Sequence, residues 1–175
     1  TRFFLLISSL LASPAMGADS PANPLVLITE FMASNGNSLT DEDGDHPDWV
    51  EIHNSGTNTV LLDGWYLTDD EAQLRKWRFP AVSLPAKDFL VVFASGKSRA
   101  VPGFPLHTSF ALSAAGEYLG LVQPDGISIA SQSAPQFPEQ YRDISYGLSQ
   151  AATTNRLLAS SAPARFFVPV DNSLA

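Results

Sequence analysis

From Leu25 onward the chain offers only short apolar segments, each stopped by turn residues after a few positions. Leu25-Val26-Leu27-Ile28-Thr29-Glu30-Phe31-Met32 is dense in β-branched and large apolar side chains, and Asn35-Gly36-Asn37 closes it with turn chemistry. The pattern recurs at Trp49 to Asn54, Val60 to Leu62, Trp65 to Thr68, Trp77 to Phe79, Phe89 to Ala94, Phe110 to Leu112, Tyr118 to Val122 and Ile127 to Ala130. Many short strands at this spacing predict an all-β sandwich or barrel. Past residue 17, no stretch shows sustained helical periodicity with caps at both ends. Gln123-Pro124-Asp125-Gly126 reads as a hairpin turn in which Gly126 supplies a positive φ. Leu84 to Asp88 reads as a corner before Phe89-Leu90-Val91-Val92-Phe93, a run apolar at every position and so expected to be covered on both faces.

The flanks differ in texture. Arg2 and the apolar run Phe3 to Leu11 lead to Ser13-Pro14-Ala15-Met16-Gly17, where Ala15 and Gly17 satisfy the minus-three and minus-one positions of a signal-peptidase site. The run is short for a bilayer span. Residues 1–17 are therefore expected to be a cleaved export signal, placing the mature protein outside the cell, at its surface or in a periplasm, with no membrane span. Residues 18–24 read as a stiff linker and 25–148 as one domain. After Gly147 the chain turns to Ala, Ser and Thr, a second linker over 149–164. Arg165-Phe166-Phe167-Val168-Pro169-Val170 regains apolar character, and residues 165–175 read as the start of a further domain, so downstream domains of the same chain are expected neighbours.

Charge and cysteine usage narrow the function. Removing residues 1–17 from a chain with 10 basic and 18 acidic residues takes away only Arg2, leaving a net of −9. Such a surface repels phosphate backbones, so nucleic acid is not an expected partner. The chain has no cysteine, which excludes thiol catalysis, cysteine zinc sites and a disulfide scaffold. Packing alone must hold the fold.

The densest polar cluster is Asp41-Glu42-Asp43-Gly44-Asp45-His46-Pro47-Asp48, with Glu51 beyond it. Asp41, Asp43 and Asp45 alternate, so their carboxylates can converge, and hard oxygen donors at that density suit Ca²⁺. Asp41, Asp43, Asp45 and Asp48 are the candidate ligands of a structural calcium ion. The glycine position does not match an EF-hand loop. The competing reading is a solvated acidic loop whose Asp48 and Glu51 meet Lys or Arg across the sheet. Asp69-Asp70-Glu71 reads as a second acidic turn explained by solvation. His46, His53 and His107 form no zinc pattern, and no Gly-x-Ser-x-Gly elbow occurs. Gly96-Lys97-Ser98 follows an apolar strand in place of a glycine-rich turn, so Lys97 and Arg99 read as local charge at a loop tip. Trp49, Trp65 and Trp77 each sit beside a turn or strand start; they read first as core anchors, and otherwise as an exposed aromatic platform for a sugar or a proline-rich peptide.

Taken in order, Ile28 to Asn35, Asp48 to Asn54, Leu62 to Asp69, Trp77 to Pro80, Phe89 to Gly96, Leu106 to Leu112 and Gly116 to Leu121 resemble the lamin-tail domain family, in particular its exported bacterial members. The resemblance implies an immunoglobulin-like β-sandwich used as a non-catalytic module beside other β domains or hydrolases. Nuclear members are joined to filament rods and meet protein and chromatin partners; with no coiled-coil heptads and an acidic surface, those roles do not carry over. The expected function is an extracellular interaction or scaffolding module, with a protein or polysaccharide as partner. The alternatives are a carbohydrate-binding accessory domain of an exported hydrolase and a calcium-stabilised adhesion module.

Overall fold

The computed structural model describes residues 25–148; the export-signal reading of 1–17, the first linker and the readings of 149–175 lie outside the described residues. Alternation of side chains along the two longest strands, β1 (Val26–Met32) and β2 (Asp48–Asn54), sets one face of each against the core. The chain continues through β3 (Val60–Leu61), β4 (Tyr66–Thr68), β5 (Trp77–Arg78), β6 (Ser83–Leu84), β7 (Phe89–Ala94), β8 (Leu106–His107), β9 (Leu119–Val122), β10 (Ile129–Ser133) and β11 (Tyr146–Gly147). A five-stranded sheet in the order β11-β1-β2-β7-β8 faces a four-stranded sheet in the order β10-β9-β4-β5, with β3 and β6 forming a small ribbon. All pairs are antiparallel except β7 with β8, which run parallel. The protein is an all-β, immunoglobulin-like sandwich.

Ile28, Phe31, Val50, Ile52, Val92 and Leu106 from the first sheet meet Leu67, Trp77, Leu119 and Leu121 from the second in one buried cluster. The register of β1 on β2 slips between Ile28 and Glu30, so Thr29 is a bulge. This extra residue shifts the phase of the strand: Val26 and Ile28 point inward before it and Phe31 after it, while Glu30 turns outward opposite Glu51. Phe137 closes the sandwich from a segment without regular structure, its ring centroid 4.6 Å from that of Phe31 and its N–H donating to the Glu117 carbonyl at 2.8 Å. That segment lies against Gly116 (φ 95°), where an added Cβ would stand 2.3 Å from the Phe137 carbonyl oxygen. Only glycine fits there.

Three sequence expectations need correction. Ile127 belongs to the turn and not to β10, because the Asp125 carboxylate accepts the N–H groups of Ile127 and Ser128 and extends the loop. Phe110 to Leu112 makes only an isolated bridge, Ala111 with Ser95; the Thr108 hydroxyl donates to the Phe110 carbonyl and draws the backbone off the ladder. Coverage on both faces holds for the second half of β7 only, since Phe89 is 51% exposed. No helix among the described residues is long and apolar enough to cross a membrane.

Candidate functional site

Side chains of β1, β2, β7 and β8 that point away from the sandwich core fall into rows across the five-stranded sheet. In one row, Met32 lies beside Trp49, Trp49 beside Phe93 and Phe93 beside His107. All four are buried, although they lie on the outer face. What covers them is the segment from Ala33 to Pro47, which crosses the sheet as a strap. Ser38 Oγ stands 3.3 Å from Met32 Sδ at one end of the row, and the Glu42 carboxylate lies 3.0 Å from His107 Nε2 at the other.

The strap is held at its start, middle and tip. Asp143, near the end of the domain, accepts the N–H groups of Gly36 and Asn37 at 2.6 and 2.8 Å. Asn35 donates through Nδ2 to the carbonyls of Leu39 and Pro47 and accepts from Ser38 N–H, which closes the strap on itself. At the tip, Asp41 Oδ1 accepts the N–H groups of Asp43 and Asp45, and Gly44 takes the positive φ (85°) that completes the turn. The alternating carboxylates converge as the sequence predicts. Lys97 Nζ stands among them, 2.5 Å from Asp41 Oδ2, 2.7 Å from Asp43 Oδ2 and 2.8 Å from Asp45 Oδ2. Arg99 Nη1 adds contacts of 2.8 Å to Glu42 and 2.7 Å to Asp43. The two cations that read as loop-tip charge are the clasp of the strap.

The electrostatics follow from these contacts. Burial pushes the Asp41 carboxyl up, but Lys97 and the N–H groups of Asp45 and Asp43 outweigh it and hold the group below the usual carboxylate range. Glu42 is lowered by its own backbone N–H, His107 and Arg99; Asp43 by Lys97 and Arg99; Asp143 by the N–H groups of Gly36 and Asn37. Lys97 is raised by its three carboxylates. An acid whose folded pKa is depressed stabilises the fold above its unfolded pKa and loses that contribution as pH falls through the folded value. The strap should therefore stay closed above the ordinary values of 3.8 for Asp and 4.5 for Glu and loosen below them. The reporter is the indole Nε1–H of Trp49, which is buried without a hydrogen-bond partner among the described residues. Its NMR resonance is expected to hold steady at pH 5 and to shift and exchange with solvent below about pH 4. A resonance unmoved under acid in a still-folded protein would show that the ion pairs do not keep the strap shut.

Asp48 stands apart from this cluster. Its carboxylate accepts Asn35 N–H at 3.1 Å, and burial pushes its pKa up. The expected four-carboxylate ligand set is thus three carboxylates around a lysine, because Asp48 begins β2 whereas the other three ride on the turn. The tryptophan platform is also corrected: Trp49 is buried under the strap, Trp77 in the core against Phe79, and Trp65 half-buried against the core. With two of the rings buried and the third half-buried, the three present no common surface.

Ser95, His107 and Glu42 form a constellation that sequence reading missed, because the three lie far apart in the chain. Ser95 Oγ is 2.9 Å from His107 Nδ1, whose other nitrogen faces Glu42. The types and spacing match a nucleophile, base and orienting acid. The surroundings do not support that chemistry. Lys97 N–H donates to Ser95 Oγ, while the N–H groups of Gly96 and Ser98 donate to the carbonyls of Phe110 and Thr108, so these neighbours are not available to receive an oxyanion. The network ties β8 to the strap.

No described segment covers the lower half of the same outer face. There His53 stacks on Phe89, ring centroids 4.1 Å apart, and a groove of about 460 Å³ is lined by Thr29, Glu30, Glu51, His53, Phe89, Gly147 and Leu148.

The sequence model of the Lamin Tail Domain family matches residues 19–135, well over half of the chain, while no curated protein matches it. The matched span takes in the strap, its clasp and every strand of the sandwich except β11, and the chain belongs to the Lamin Tail Domain family.

Proposed function

We propose that the chain is an exported, non-catalytic interaction or scaffolding module whose working surface is the uncovered half of the outer face of the five-stranded sheet. One observation carries this reading: the side chains with chemical potential, Ser95, His107, Glu42 and Lys97, are engaged in holding the strap, whereas Phe89, stacked on the half-buried His53, lies exposed beside it. Exposed aromatic surface on a rigid sheet is the usual raw material of a docking site. The pattern of residues 1–17 supports export, and the acidic surface argues against a nucleic-acid partner. A photo-crosslinking residue placed at Phe89 in producing cells is expected to capture a partner, whereas the same residue at Ile127, exposed in the β9–β10 turn, is not. Equal capture at both positions, or none at either, would retire the reading.

A calcium-stabilised version of this module is the second reading, favoured by the three carboxylate oxygens of Asp41, Asp43 and Asp45 lying within 4.8 Å of one another. In it the ion competes with the Lys97 ammonium for the same position. Melting with millimolar calcium and then chelator decides between them: a reversible rise, larger in Lys97→Met, supports the ion. An unchanged transition in both proteins leaves Lys97 as the cation of the site. The carbohydrate-binding reading loses its tryptophan platform and would have to use the His53–Phe89 pair.

A further inference from the structure

We propose that the groove on the uncovered sheet face is a seat for a cationic side chain, lysine or arginine, carried by an extended segment of a protein partner. This deepens the interaction reading above and rests on it. The case begins with the bulge at Thr29. By inserting one residue it turns Glu30 outward and sets it opposite Glu51 as a cross-strand pair. Like charges placed directly opposite destabilise a sheet, and among the described residues no cation pairs with either: Glu51 accepts one hydrogen bond, from Thr29 Oγ1 at 2.7 Å, and the ion pairs lie elsewhere, on the strap and at Asp63, Asp69 and Asp143. Bulges re-aim side chains at functional positions, and this one builds a pair of carboxylates with no cation beside it among the described residues.

The groove beside the pair has the other half of the chemistry. Phe89 is 51% exposed and stacks on His53, whose Nδ1 lies 3.1 Å from the Asp88 carbonyl. Gly147, the partner of Glu30 on the far side, brings no side chain into the row. A guanidinium or ammonium placed between Glu30 and Glu51 would cancel their repulsion, and its aliphatic stem or planar head would lie on an aromatic ring. A neutral sugar would leave the two charges facing one another, and an anion would add a third. Charge complementarity with a net acidic protein selects a basic segment.

The test uses the full 175-residue chain and a fluorescein-labelled peptide of alternating Gly and Arg, read by anisotropy, with the Gly/Gln peptide as control. The expected result is binding of the Arg peptide only, weakened at least tenfold in the Glu30→Gln/Glu51→Gln protein and several-fold in Phe89→Ala, and unchanged in Asp70→Asn/Glu71→Gln. The double Gln variant should melt no lower than wild type, because it removes a repulsion, so misfolding does not confound the loss. Equal weakening in the Asp70/Glu71 variant would reduce the effect to overall charge and overturn the proposal. Binding that emerges only after Arg156 and Arg165 are changed to Gln would assign the groove to the chain's own following segment. A dimer in sedimentation that the Gln pair abolishes would assign it to a second copy. Either result overturns the partner claim, as does absence of binding in every protein. Crosslinking at Phe89 without peptide binding would sink the cationic chemistry and leave the docking face standing, whereas loss of both sinks the two together.

Discussion

Phe137→Ala is expected to lower folding stability by about 3–5 kcal/mol, the range for emptying a buried phenylalanine site, even though the residue belongs to no strand. Its side chain is almost wholly buried, its ring packs on Phe31, and its N–H pins the segment to Glu117. Truncation removes the lid from the seam between the two sheets, and the backbone pressed against Gly116 prevents the segment from sinking into the void. Urea unfolding of wild type and variant gives the number directly. A loss under about 1 kcal/mol, the scale of an ordinary surface change, would mean that residues after β10 lie on the sandwich without closing it.

Asn54→Asp should rank beside it. Asn54 is fully buried at the end of β2, where its amide nitrogen serves the carbonyls of Asn58, Leu84 and Pro85 and its oxygen accepts Gly56 N–H. The side chain thereby ties the loop after β2 to the corner before β7. Aspartate keeps the shape, removes the donors and directs negative charge at carbonyl oxygens. Each buried polar group left unsatisfied costs about 1–3 kcal/mol, so a loss of about 3 kcal/mol or more at neutral pH follows. Part should return in acid as the new carboxyl is protonated and regains a donor. A variant as stable as wild type at pH 7 would show that the two loops hold without their common anchor.

These two residues also show where sequence reading stops. Asn54 could be placed at the end of a strand, because β-branched and apolar neighbours define β2, but the three carbonyls it serves come from elsewhere in the chain. Phe137 sits among prolines and polar residues with no periodicity to mark a buried position. The longer strands were legible because alternation and turn residues are local signals; β6 (Ser83–Leu84) and β11 (Tyr146–Gly147) carry a polar residue or a glycine at one of their two positions and have no apolar run to mark them, whereas the equally short β3 and β5 fall within the apolar runs at Val60 to Leu62 and Trp77 to Phe79. The candidate site divides the same way. Convergence of Asp41, Asp43 and Asp45 follows from alternation along a turn, whereas their partner Lys97 is more than fifty residues away and looked like surface charge. Asp48 was grouped with them on proximity alone, and the strand start carried it off. The outward turn of Glu30 depends on a bulge, which sequence alternation does not announce.

The borders of the two sheets bear on how readily the domain could fuse with another β-sheet. The five-stranded sheet ends in β11 and β8, each two residues long; the four-stranded sheet ends in the two-residue β5 and in β10, whose register on β9 is itself broken. None offers a long straight row of unpaired backbone groups onto which another chain could zip. A protein assembled from consecutive β domains keeps them at very high local concentration, where exposed borders invite swapped or fused sheets. Short and kinked borders would let this sandwich stand beside other β domains without fusing to them, since they leave faces and side chains, and not backbone, as the surface for contact.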